Sequence, residues 1–339
     1  SMKKLFIAAL CFLAATGATQ AQPMSVIYET DYGNDADDAL ALEFICKYND
    51  IGKLKLLGVG THKEGANVCP AVDGSLNWYG YGKVPVAKSP TPVSRPNDGN
   101  HYADSVALCR NSKGKPAFKQ TKKGKYEDAV EFYRRTLAKQ PDNSVAIISV
   151  GFATNLALLL DSKPDKFSPL TGRELVAKKV KVLSTMMGCY RENPFSEYNV
   201  NCDIPAMKKV MSEWPGEIVQ NPFEIGEKVR YPVKLMREKL TWANPHPLIV
   251  ATSVNNPDPN YTQCEFDVMS VIWLVHPELF NLSGRGTISI DDKGFNHFTP
   301  SPNGRHRYLT TTPEQDKKLL ELLVKVTSAK PKKFRKQYD

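Results

Sequence analysis

Four carboxylates fall within the eight residues Asp31-Tyr-Gly-Asn-Asp35-Ala-Asp37-Asp38. They stand between the apolar run Ser25-Val-Ile-Tyr-Glu-Thr30 and the helical pattern Ala39-Leu-Ala-Leu-Glu-Phe-Ile-Cys46. Carboxylates this close repel one another, and burying them unpaired costs several kcal/mol. A fold that lodges the run between a strand and a helix must leave it in water or supply a cation. Hard oxygen ligands favour Ca²⁺ or Mg²⁺, and a crowded, flexible carboxylate set suits Ca²⁺ better. A solvated turn before an acidic helix start accounts for one or two of the four, because Asp is favoured at helix N-termini. The apolar segments on both sides favour the cation. An EF-hand is excluded: counting from Asp31, the sixth residue is Ala36 and the twelfth is Leu42, where that loop needs Gly and Glu. What remains is a carboxylate-rich loop at the carboxyl end of a strand, where open α/β sheets bind their ligands.

The rest of the chain reads as such a sheet. Strand patterns at Val26–Tyr28, Leu54–Gly60, Val84–Ala87, Val145–Val150 and Val180–Met187 alternate with helical patterns at 37–48, 70–79, 126–139 and 155–160. Later helices are expected near 204–213, 268–275 and 313–327. Alternation of this kind implies parallel pairing through right-handed crossovers. The expected fold is three-layer α/β with a Rossmann-like, mostly parallel sheet, and the loops after successive strands converge on one rim. Residues 89–125 are rich in Pro, Gly, Asn and Lys and read as an insertion over the surface.

Lys3-Lys4, the apolar stretch Leu5–Ala15 and the small residues before Ala21 read as a secretory leader, residues 1–22, with one domain following at 23–339. A secreted, periplasmic protein is expected, and no later stretch approaches the roughly 20 apolar residues of a membrane span. Loss of Lys3 and Lys4 takes the formal charge from +9 to +7, and much of the excess lies in Lys330-Pro-Lys-Lys-Phe-Arg-Lys336. No nucleic-acid signature accompanies this tail, which reads as solvated charge. Six cysteines follow the leader, and Cys69–Cys109 and Cys189–Cys202 are conceivable bridges in an oxidising compartment. No CxxC pair supports a zinc or redox site.

If the strands are parallel, three further segments share the rim with the acidic loop: Thr61–Asn67, Gly151–Leu156, and Met187–Cys189 continuing to Ser196–Asn199. Glu197 and Asn199, two apart, would face the same way in extended chain and suit sugar hydroxyls. Asp267 opens the apolar pattern Val268-Met-Ser-Val-Ile-Trp-Leu and reads equally as a helix cap or a site residue.

Taken together, Thr30-Asp31-Tyr-Gly…Asp37-Asp38-Ala-Leu-Ala-Leu, Val150-Gly-Phe-Ala-Thr-Asn-Leu, Glu197-Tyr-Asn199 and Phe266-Asp267 resemble the nucleoside hydrolases of the inosine–uridine-preferring group. The resemblance covers nearly all of 24–330, and Phe223-Glu-Ile-Gly-Glu227 looks like that family's late strand segment. It implies a Ca²⁺ ion held by Asp31, Asp38, Asp267 and the Val150 carbonyl. Asp37 and Asn67 would hold the ribose 2′- and 3′-hydroxyls, and Glu197 and Asn199 the 5′-hydroxyl; Phe266, by its residue type, can stack on a base. Asp31 would be catalytic, deprotonating the attacking water. The residue types suit this chemistry on their own account, since carboxylates stabilise an oxocarbenium-like state and a cation orients and activates water.

The chain departs from the family pattern at several points. Two extra residues separate Asp31 from Asp37-Asp38, which makes Asp35 an alternative ligand. Glu29 stands where the family often has aspartate. Phe266 replaces a histidine implicated in protonating the departing base, and a phenylalanine cannot donate a proton. His297, His306 and Tyr261 are substitutes by residue type alone, and Asn193 is a candidate for a further ribose contact. The expected activity is hydrolysis of ribonucleosides to base and ribose. The rivals are hydrolysis of another N-riboside and a non-catalytic ribose- or nucleoside-binding protein. The expected partner is a small riboside, with a homo-oligomer open. No GxxxxGK[ST] phosphate cradle supports phosphoryl transfer.

Overall fold

A computed structural model describes residues 21–98 and 101–335. The expected leader lies outside them except for its last two positions. The strands are β1 (Met24–Thr30), β2 (Leu54–Lys63), β3 (Val86–Val93), β4 (Glu127–Asp128), β5 (Val145–Ser149), β6 (Val180–Met186) and β7 (Ile218–Asn221). After them come β8 (Arg230–Pro232), β9 (Thr262–Cys264), β10 (Asn281–Leu282), β11 (Gly286–Ile290), β12 (Asn296–Pro300) and β13 (His306–Thr310). The main sheet runs β12-β11-β13-β7-β6-β5-β1-β2-β3-β4, with β10 beside β13, while β8 and β9 form a separate antiparallel pair. Every neighbouring pair from β13 to β4 is parallel, and β11 is antiparallel to both of its neighbours.

The order of this sheet decides where a ligand can go. From β1 the chain proceeds outward through β2, β3 and β4, then returns to the other side of β1 at β5 and continues through β6 and β7. The direction of winding therefore reverses between β1 and β5. A crevice opens at the carboxyl ends of strands where such a reversal occurs. Asp31 follows β1 and Val150 follows β5, so the two expected site segments flank that crevice.

The central strands are apolar on both faces, as a parallel sheet covered by helices requires. Ile27, Val145, Ile147 and Leu183 pack against the helices Ala129–Ala138, Thr154–Asp161, Gly172–Lys179 and Ile204–Glu213. Their sequence neighbours Val26, Tyr28, Ala146, Ile148 and Val182 face the opposite layer. That layer contains Asp37–Asp50, Val68–Tyr79, Tyr102–Ala107, Pro247–Asn255, Val268–Val275 and Pro313–Ser328. Mostly parallel three-layer architecture is the fold expected from the sequence.

Some local expectations change. The strand expected at 84–87 runs on to Val93. The polar stretch 89–125 is not confined to the surface: Tyr102, Val106 and Phe118 are buried in the core. A few apolar anchors suffice to seat a mostly polar segment, and composition averages them away. Phe223-Glu-Ile-Gly-Glu227 is helical, within Phe223–Lys228, and the late strand precedes it as β7. Four residues are too few to show a period, and Pro222 at the junction ends the ladder. All six described cysteines are free thiols, so neither conceivable bridge is present.

Ile147 is fully buried at the centre of β5. Ile147→Ala should destabilise the fold by about 2–5 kcal/mol in a urea titration, as large-to-small core changes do. A loss below about 1 kcal/mol would show that this position is not tightly packed.

Candidate active site

Asp31, Asp38 and Asp267 meet at the floor of the crevice. Each is buried, and one carboxylate oxygen from each lies within 4.8 Å of the others. Asp31 arrives at the end of β1, Asp38 from the first turn of Asp37–Asp50, and Asp267 just before Val268–Val275. The side chain of Asp267 makes no capping bond to its helix. Its place at a helix start therefore does not explain it; its carboxylate is committed to the cluster. Thr30 Oγ1 donates to Asp38 Oδ1, and Tyr28 Oη donates to the Asp38 carbonyl at 3.0 Å.

Asp37 lies beside this cluster. Its Oδ2 accepts the backbone N–H groups of Phe266 and Asp267, each at 3.2 Å, while its buried Oδ1 has no protein partner. Burial pushes the carboxyls of Asp37, Asp38 and Asp267 well above the ordinary range, and the neighbouring carboxylates push them further. Burial also raises Asp31. An unpaired oxygen beside three converging carboxylates is a donor set that fits a hard divalent cation. Asp35 lines the cavity at an exposed position and is outside the converging trio.

The cavity above the trio is lined by Asp31, Asn34, Asp35, Asp37, Asp38 and Val150, and across from them by Met186, Glu197, Tyr198, Asn199, Phe223, Phe266 and Asp267. Its volume is about 70 Å³, room for an ion and one or two waters at roughly 30 Å³ each. A larger ligand must extend past rim groups such as Asp35. A larger hollow, about 630 Å³, opens at the opposite rim around Lys181, Trp273 and Arg285, away from the carboxylate cluster.

Glu197 and Asn199 reach the cavity by a route other than extended chain. Glu197 caps the short helix Tyr198–Asn201, its Oε2 accepting the Asn199 N–H at 2.8 Å, and its Oε1 accepts the Gly188 N–H at 2.9 Å. Burial nevertheless pushes Glu197 up to about 7. The Asn199 amide donates to the carbonyls of Val150 and Met186, both at 3.0 Å, which fixes the Val150 carbonyl at the cavity wall. Asn67 is not among the lining residues; its amide donates to Asp104 at 2.9 Å. Asn193 is exposed and also outside the lining.

Behind the floor lies a buried pair, Glu29 and His62. Glu29 turns away from the carboxylate cluster, and its Oε2 accepts from His62 Nδ1 at 2.8 Å, with the Asn155 amide at 3.1 and 3.2 Å from its two oxygens. His62 Nε2 accepts the Phe152 N–H at 2.8 Å, which sets the tautomer as Nδ1–H. The two ring nitrogens thus tie β2 to Glu29 of β1 and to the Val150–Phe152 turn. The close approach requires Gly151, where a Cβ would lie 2.1 Å from His62 Nε2 and 2.9 Å from the Asp31 nitrogen. The longer Glu29 side chain, where an aspartate is common, was the sequence signal for this pair.

On the other wall Phe266 stacks on Phe223, with ring centroids 4.8 Å apart and planes at 27°. A Cβ at Gly226 would lie 2.6 Å from the Phe266 Cα, so this helix can approach Phe266 only with glycine there. The sequence-based substitutes for a proton donor are elsewhere. His297 pairs with Asp291, His306 accepts from the Ile288 N–H within the sheet, and Tyr261 does not line the cavity.

A family profile described as "Inosine-uridine preferring nucleoside hydrolase" matches residues 26–330. The pyrimidine-specific ribonucleoside hydrolase RihA of Escherichia coli O1:K1 / APEC is 26% identical over 160 residues, 45% of this chain and 49% of that protein. The chain thus spans about half the length of the curated relatives it matches. The plant nucleoside hydrolase PpNRh1 superposes with a TM-score of 0.68 at 18% identity, covering 91% of this chain and 100% of that one. The inosine-uridine preferring nucleoside hydrolase of Bacillus anthracis gives 0.69 at 16%, covering 90% and 99%. The type III effector XopQ, solved with adenosine diphosphate ribose, gives 0.65 at 16%, covering 91% and 96%. At these identities the superpositions establish a shared fold.

The raised carboxyls have a consequence for stability. They bind protons more tightly in the folded chain than in the unfolded one, so their contribution is fully present below the unfolded carboxyl range, about 4. It is lost as pH rises through the raised values, that of Glu197 being about 7. In chelator, the thermal midpoint should fall between about pH 5 and about pH 8, and Ca²⁺ should raise it more at the higher pH. A midpoint unaffected by pH and by Ca²⁺ would contradict this account of the cluster.

Proposed function

The chain belongs to the inosine-uridine preferring nucleoside hydrolase family, and on that premise we propose that it hydrolyses the N-glycosidic bond of ribosides to a free base and ribose. The convergence of Asp31, Asp38 and Asp267 beneath the cavity carries this reading. We assign the cation to Ca²⁺, held by those three carboxylates and the Val150 carbonyl. Bound there, it supplies Lewis-acid activation of water.

The chain's own groups do the rest. Asp31 accepts the proton of the attacking water. The free Oδ1 of Asp37 takes a ribose hydroxyl, and its Oδ2 stays bound to the Phe266 and Asp267 N–H groups, which hold it in place. Glu197 and Asn199 stand across the cavity for the 5′-hydroxyl. As the glycosidic bond lengthens, positive charge grows on the ribose, and the surrounding carboxylates stabilise it without having to reorganise. Asn67 is assigned no contact. The leader-like residues 1–22 favour an exported enzyme. The absence of a proton donor at Phe266 favours a second reading, a riboside-binding protein on the same fold.

With Ca²⁺ present, the purified protein should release reducing sugar from at least one member of a riboside panel. Asp31→Ala should lower the rate by about 10²–10⁴-fold, the scale of a lost general base. Riboside binding in calorimetry without any sugar release would favour the binding protein. Separately, Asp267→Asn should weaken Ca²⁺ binding by tenfold or more, since even outer groups of metal sites reach that scale. Unchanged affinity would remove Asp267 from the ion's shell.

A further inference from the structure

We propose that this site prefers N-ribosides whose base already carries a positive charge, a pyridinium N-riboside being the simplest class, over neutral purine and pyrimidine nucleosides. The inference rests on the riboside-hydrolase reading above and names the substrate class for that same site.

The leaving group is the starting point. A neutral purine or pyrimidine departs with the electron pair of the broken C1′–N bond and becomes an anion unless an acid protonates it. Such an acid contributes typically 10²–10⁴-fold. A pyridinium nitrogen takes the same electron pair and departs as a neutral ring. In that reaction the water oxygen bonds to C1′, the C1′–N⁺ bond breaks, and the water proton passes to Asp31. Ribose, neutral base and one proton result, with no proton needed by the base.

The cavity is built for the second case. Among the described residues its lining contains no His, Lys, Arg, Cys, Ser or Thr. Its one phenol, Tyr198, hydrogen-bonds Asp98, and burial together with that bond pushes the phenol up, away from proton donation. Both oxygens of Glu197 accept backbone N–H groups. Asp35, at the exposed rim, is raised by burial only to about 6 and is a carboxylate at about pH 8. Asp31, Asp38 and Asp267 converge on one another and the free Asp37 Oδ1 takes a ribose hydroxyl, so no side chain of the lining is left to protonate a departing neutral base.

Charge and shape point the same way. Asp31, Asp35, Asp37, Asp38, Glu197 and Asp267 line the cavity without a cationic side chain among them. A positively charged ring therefore meets no like charge in the lining, and Lys63 stands behind it with its Nζ donating to Asn34 Oδ1 at 3.3 Å. The stacked Phe223 and Phe266 rings both reach the lining and offer an aromatic face to a charged ring. Arg191 lies 5.8 Å from the Phe223 centroid, is not part of the lining and pairs with Glu227.

The test compares kcat/KM for nicotinamide riboside with those for inosine, uridine and cytidine, at about pH 8 with Ca²⁺. The expected result is a preference of about 10²-fold or more for the pyridinium riboside, the lower end of what an acid supplies. In addition, Phe266→His should raise inosine hydrolysis by about tenfold or more, with no matching rise for nicotinamide riboside. Inosine or uridine turned over within about tenfold of nicotinamide riboside, or better, overturns the inference and leaves the ribohydrolase reading standing. Release of sugar from none of the four overturns that reading itself. The wild-type ratio decides the question even if the variant fails to fold.

Discussion

Three aspartates sharing one buried floor are the constraint on which the rest of the structure depends. Burial raises each, and the Asp31 carboxylate raises Asp38 and Asp267 further. Such a cluster persists only if protons or a cation offset it. The fold arranges for this at the reversal of strand order between β1 and β5, where the chain supplies a crevice. Elements distant in sequence close it: Asp31 and Asp38 come from the first strand and helix, and Asp267 from a helix start more than two hundred residues later.

The surroundings hold this geometry by hydrogen bonds to the groups around it. Asp37 is bound from behind by the N–H groups of Phe266 and Asp267, which leaves one oxygen for the cavity. Asn199 holds the Val150 carbonyl, and Glu197 is held by two backbone N–H groups. The Glu29–His62–Asn155 set ties β1, β2 and the turn after β5 together beneath the floor. Groups engaged in this way keep few rotamers, and their positions do not have to be reset when a ligand arrives.

Much of this was legible in the sequence. Asp31, Asp37 and Asp38 lie close together in the chain between elements with clear periodicity, and continuous apolar runs such as Val145–Ser149 identify strands buried on both faces. Other features depend on packing that no local pattern encodes. β7 is too short to show a period, and Phe223 begins a helix only because Pro222 ends the strand before it. Tyr102 and Phe118 are buried by tertiary contacts within a polar stretch. His62 looked like an ordinary polar residue after a strand, and only the fold brings it to Glu29 and Phe152. Glu197 and Asn199 do line the cavity, although a helix turn places them there and extended chain does not.

The most direct measurement of the central claim is a crystal structure of the protein grown with Ca²⁺. The account predicts one ion on the cavity floor, bound by Asp31, Asp38, Asp267 and the Val150 carbonyl, at the 2.3–2.6 Å usual for calcium–oxygen bonds. Carboxylates turned away from one another, or an ion bound elsewhere with this floor holding only water, would contradict it.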